Sequence, residues 1–208
     1  MKPGVKIQFS AKELRLINDT SFLLSKRVIT EKTCNLLHGL KETLAASPIH
    51  RTFPFPAGTD FHQGKITRGE NLKGLPYLVL DFPRLFEQDN IFAFRTMFWW
   101  GNYFSFTLHL KGKALKQFGE PLLKNLSKQK KKDLLVYLGE DEWEHDLSNE
   151  GYVPYSKELN EIIQKQGFLK LSRKIAVSDF EKLNTEGLKT YNLLLSPSVI
   201  ARVPQGLL

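Results

Sequence analysis

Residues 91–110, IFAFRTMFWWGNYFSFTLHL, constrain the fold more than any other stretch of the chain. Six Phe or Tyr residues and the pair Trp99-Trp100 alternate with polar residues, and Gly101-Asn102 falls midway as a turn signal. Aromatic residues at strand spacing around such a dipeptide predict a β-hairpin. A hairpin this apolar must be covered. It nevertheless carries Arg95 and His109, which need partners if they are buried.

Register decides which residues share a face. With Gly101-Asn102 as a two-residue turn, Trp100 faces Tyr103, Phe98 faces Ser105, Thr96 faces Thr107 and Phe94 faces His109. Arg95, Met97 and Trp99 then lie on the other face with Phe104, Phe106 and Leu108. A turn one residue longer exchanges the faces of the second strand. Asp81, on the preceding strand, is the nearest partner in sequence for Arg95, and pairing is the expectation for that arginine. Nothing in the pattern decides the fate of His109.

The surrounding elements set the class. Ser10-Ala11-Lys12-Glu13 is a capping box that opens a short helix ending at Asn18-Asp19. A second helical stretch follows, and a longer helix starting near Thr30 carries Cys34, Leu37, Leu40 and Leu44 until Ser47-Pro48. Residues 10–47 are thus helical, amphipathic and in need of a partner. Residues 48–76 read as a long connection with glycines at 58, 64, 69 and 74. Tyr77 to Phe82 is a buried strand that joins the hairpin in a three-strand meander over 76–110. Beyond it, Leu115 to Leu126 form a helix interrupted near Pro121, Leu134 to Leu138 a strand, and Tyr155 to Gln166 a helix. Phe168 to Ile175 alternate as a strand, and Ser178 to Leu195 form a last helix. The tail 196–208 reads as irregular. Adjacent strands with short turns give an antiparallel sheet. The expected fold is a single α+β domain over 1–208, with about four to five strands covered by N- and C-terminal helices.

Composition narrows the setting. The chain has 208 residues and one cysteine, Cys34, so an internal disulfide is ruled out and a reducing compartment is favoured. Cys34 reads as a small core residue, and its spacing to His38 as incidental. The opening residues lack the apolar core of a signal peptide and no stretch approaches a membrane span, so the expected location is cytoplasmic and no membrane partner is expected. The net charge of +8 is unevenly spread. Residues 111–132 hold eight lysines against Glu120, while residues 140–150, EDEWEHDLSNE, hold six acids.

Three chemistries compete, and no motif names a cofactor or a catalytic residue. The leading reading is a non-catalytic protein that binds an anionic small molecule on the 91–110 hairpin and the 58–74 loop. Lys65, Arg68, Arg95, Trp99, Trp100 and His109 would contact the ligand, with aromatic walls and a few orienting polar groups. The Gly64–Gly74 stretch could cradle a phosphate, although no helix opens after it as in known phosphate loops. The second reading is nucleic-acid association through lysines 111–132, with Trp99 and Trp100 stacking on bases. The third is a metal-dependent enzyme built on residues 140–146. His145 stands alone there, and neighbouring acids along a loop point apart, so an exposed acidic loop anchored by Trp143 is the plainer expectation.

Overall fold

The computed structural model describes residues 7–128 and 133–196. Seven strands form one sheet in the order β1-β2-β3-β4-β7-β5-β6. They are β1 (Lys65–Leu72), β2 (Leu75–Glu87), β3 (Asn90–Trp99), β4 (Tyr103–Lys111), β5 (Leu135–Tyr137), β6 (Tyr152–Pro154) and β7 (Phe168–Ala176), with every neighbouring pair antiparallel. The helices are α1 (Ala11–Asn18), α2 (Thr20–Ala46), α3 (Pro48–Thr52), α4 (Gly112–Leu126), α5 (Asn160–Lys165) and α6 (Leu183–Leu194). The α+β class holds, with seven strands where four to five were expected. One extra strand, β1, comes from the supposed connection at 48–76, and the other, β6, has only three residues.

The glycine-rich 64–74 stretch is therefore an edge strand and a turn, not a loop. Lys65 lies opposite Asp81 and Gly69 opposite Tyr77. Periodicity missed β1 because polar side chains dominate it, which is how edge strands resist pairing with other chains. The meander spans four strands as a result.

Helices α2, α4 and α6 cover one face. Leu37, Leu40 and Leu44 from α2, Phe118, Leu122 and Leu126 from α4, and Leu183, Tyr191 and Leu194 from α6 meet Phe92, Phe94, Phe98, Phe104, Phe106 and Leu108 of the central hairpin. Helix α4 runs unbroken through Pro121. It starts directly from β4 at Gly112, whose φ is +62°. A Cβ there would lie 1.8 Å from the carbonyl oxygen of Asp89, so only glycine fits that corner. The expected helix over 155–166 starts as a 3₁₀ turn at Lys157–Leu159 before α5, and a second 3₁₀ turn, Val177–Lys182, leads into α6.

The hairpin closes at Trp99 opposite Tyr103, leaving Trp100, Gly101 and Asn102 in the turn. Asn102 N donates to Trp99 O at 3.1 Å. The turn is one residue longer than the two-residue reading, and the second strand changes faces accordingly. Arg95 now lies opposite Thr107, and Ala93 opposite His109. Phe92, Phe94, Phe98, Phe104 and Phe106 collect on the helix side. Arg95, Ser105, Thr107 and His109 lie on the other, with Trp99 and Tyr103.

Candidate functional site

Strand alternation leaves one face of the sheet without a helix among the described residues. Across its centre stand Asp81 on β2, Ala93, Arg95 and Met97 on β3, Ser105, Thr107 and His109 on β4, and Lys170 and Ser172 on β7. Residues 139–151, between β5 and β6, fold over this face. The loop is pinched at its base, where Leu138 N donates to Gly151 O at 2.8 Å. Gly139 and Gly151 both press on Tyr137: a Cβ at Gly139 would fall 2.3 Å from its hydroxyl oxygen and one at Gly151 2.6 Å from its ring. Compact surface loops with touching ends are Ω-loops, a class that often carries function.

Most acids of this loop shape the loop itself. Asp141 Oδ1 accepts from Trp143 N at 2.8 Å, Asp146 Oδ1 from Ser148 N at 2.8 Å, and Glu144 Oε1 from Asp146 N at 2.7 Å. Such side-chain turns replace regular backbone pairing. Glu142 instead points inward, where Lys111 Nζ donates to Oε1 at 2.7 Å and His109 Nε2 lies 3.4 Å from Oε2. Neither His109 Nε2 nor Glu142 Oε2 makes a hydrogen bond among the described residues. The expectation of an exposed acidic loop is thus corrected. His145 and Asp146 turn inward, while Trp143 stays 46% exposed beside Phe86 and His109.

The floor holds the loop by its backbone. Lys170 Nζ donates to the carbonyl oxygens of Glu142, at 2.9 Å, and of Glu144. Tyr103 Oη accepts from Leu147 N at 2.7 Å, and Tyr152 Oη donates to Glu144 O at 2.9 Å. Lys73, in the β1–β2 turn, pairs with Asp146. Thr107 and Ser172 hydroxyls bond each other at 2.8 Å.

Arg95 is the centre of the cluster. Its Nε donates to Asp81 Oδ1 at 2.7 Å and its Nη2 to Oδ2 at 2.9 Å, the two-pronged fit that guanidinium and carboxylate planes allow. The partner expected from sequence is therefore the one found. Its Nη1 lies 2.9 Å from His145 Nε2. Arginine can only donate, so that nitrogen accepts and His145 is neutral. Burial, then the charges of Lys170 and Arg95, pushes His145 down to about 2. Burial, then Lys170, Arg95 and Lys111, pushes His109 down to about 3.

Lys170 is 1% exposed, with its ammonium 5.5 and 5.9 Å from the rings of Tyr137 and Tyr152. Burial, then the charge of Arg95, lowers its amine to about 7. Asp81 offsets Arg95 and Glu142 offsets Lys111, whereas Lys170 donates to two loop carbonyls and has no ion-pair partner among the described residues. A small space of about 10 Å³, room for roughly one water, lies between Phe86, Ala93, Arg95, Thr107, His109, His145 and Lys170.

The residues expected from sequence to form the site divide between the two faces. Arg95 and His109 come together in the cluster. Lys65 shares that face from the exposed edge strand. Trp99 is buried on it, 3% exposed, with Nε1 donating to Leu72 O at 3.2 Å. Arg68 lies on the opposite face, where its Nη2 meets Cys34 Sγ at 3.3 Å. Trp100 packs with Phe98 on the helix side. Burial leaves Trp99 unable to stack on a base. Lys113, Lys116, Lys124 and Lys128 are exposed on or just beyond α4, and residues 129–132 of the lysine tract lie outside the described residues.

The sequence offered Lys170 and Ser172 only as polar alternates of the 168–175 strand, and Lys111 only as the first of the lysines 111–132. Lys170 sits at an alternating polar position of β7, which reads as solvent-facing, and only the loop above it makes it interior. Among the described residues no group of three or more His, Cys, Asp or Glu is placed to hold a metal ion, and no helix is long and apolar enough to cross a membrane. No protein-family model, curated protein or solved structure matches the chain.

Proposed function

We propose that the protein binds a small anion, a carboxylate or a phosphate, on the β3–β4–β7 face beneath the 139–151 loop. The observation that carries this reading is Lys170. Its cation is buried with no carboxylate in contact among the described residues, donating to two carbonyls of the loop beside the rings of Tyr137 and Tyr152. A buried charge without an ion-pair partner is costly, and shifted groups of this kind gather at functional sites. Raising the loop would free Lys170, the Thr107–Ser172 hydroxyls and the imidazole of His109 together. Glu142 then acts as the chain's own carboxylate, occupying the cationic face until a ligand displaces it. The space present with the loop down is too small for phosphate, so binding and loop displacement are one event. Of the earlier ligand set, Arg95 and His109 belong to this site, and Arg68 and Trp100 do not. We place the protein in the cytoplasm, on the support of its lone thiol.

Calorimetric titration with inorganic phosphate and with small mono- and dicarboxylates tests the reading. Binding should weaken as pH rises through about 7, where Lys170 sheds its proton. Glu142→Gln, which removes the internal competitor, should tighten binding several-fold, and Lys170→Met should abolish it. Wild-type affinity in Lys170→Met, or no heat with any anion in both wild type and Glu142→Gln, rejects it.

A further inference from the structure

Residues 7–31 carry an apolar surface that stays exposed among the described residues. Ile7, Phe9, Leu14, Leu16, Ile17, Phe22, Leu23, Leu24, Val28 and Ile29 are 42–79% exposed. No residue of α1 is buried, while the rear of α2 buries Thr33, Leu37, Leu40 and Leu44 against the body. An eight-residue helix with no buried residue is not stable in water by itself. At 100° per residue, Phe22 and Ile29 fall on one side of α2 and Leu24 and Val28 on the far side, with Leu23 between. Large apolar side chains on two sides of one helix call for contacts on both.

We propose that residues 7–31 form the contact between two copies of this chain, each copy's α1 lying against the front of the other's α2. Three observations select a second copy. The segment is nearly neutral, with Lys12, Arg15, Lys26 and Arg27 against Glu13, Asp19 and Glu31, in a chain of net charge +8. It therefore has little attraction for an acidic membrane or nucleic acid, and its mixed signs let identical segments meet without repulsion. The exposed apolar side chains amount to roughly 1,000 Å² per chain, about what each partner supplies to a stable dimer. Two apolar sides on one helix also require enclosure, which four interleaved helices provide and one flat partner surface does not. A groove of about 500 Å³ beside this segment, lined by Leu23, Lys26, Arg27, Glu31, Arg68 and Glu70, supplies the charged rim of such an interface.

Light scattering on the full chain after size exclusion should give about twice the chain mass of 23.9 kDa. The double substitution Leu24→Glu and Val28→Glu touches only exposed positions, so the fold should persist by circular dichroism while the measured mass halves. A wild-type monomer at every concentration overturns the proposal. So does a dimer that survives the double substitution, or a monomer that instead binds vesicles of phosphatidylcholine and phosphatidylglycerol.

Discussion

Lys170 and the two buried histidines make the stability of this protein depend on pH in a definite direction. His109 and His145 are held far below the ordinary histidine value. Below pH 6.5 the unfolded chain therefore binds protons that the folded chain refuses, and stability falls as pH drops from there. Lys170 is also lowered, to about 7. From about 7 upward the unfolded lysine keeps a proton that the folded one has lost, so stability gains from rising pH. Melting temperature should thus climb between pH 5 and 8. His145→Gln should flatten the acidic limb and Lys170→Met the limb above 7, and a Lys170→Met profile parallel to wild type would count against the assignment. Arg95 and Asp81 make a separate prediction. Asp81→Ala leaves a largely buried guanidinium without its carboxylate and should cost about 3 kcal/mol in urea unfolding, while Asp81→Ala with Arg95→Met should cost less than Asp81→Ala alone.

The hairpin and the loop show how much hangs on a single turn. One residue more in the β3–β4 turn moved His109 from the company of Phe94 to the face of Arg95. Without that shift the polar cluster would not exist. The 139–151 loop depends in turn on glycines at both ends. Gly139→Ala drives a methyl group into Tyr137, and overpacking of this sort costs 1–3 kcal/mol. Its effect should be local. Limited proteolysis should cut within 139–151 faster in the variant, with the rest of the chain unchanged, and uniform protection would show that the loop does not depend on that contact.

At the level of the assembled protein, two copies joined through residues 7–31 would tie folding to association. Melting temperature should then rise with protein concentration in the wild type and not in Leu24→Glu/Val28→Glu. A sheet covered by helices on one side and by a charged loop on the other also separates two roles. The helix side holds most of the apolar core and sets stability. The loop side carries buried charge that an apolar replacement would not have to hold.

Local chemistry alone settled a good part of this. The capping box at Ser10 and Glu13, the hairpin around Gly101 and the alternation of β7 are written in neighbouring residues, because caps, turns and strand faces depend on spacing along the chain. The pairing of Arg95 with Asp81 was legible for the same reason, since adjacent strands of a meander put near residues opposite one another. Lys170, Glu142 and His145 were not legible as a group. They come from β7 and a loop that meet β3 and β4 only after the sheet has formed. No periodicity tells a polar strand position facing water from one that another loop will bury. The tertiary structure decided that, by setting the edge order of the strands and closing residues 139–151 over them.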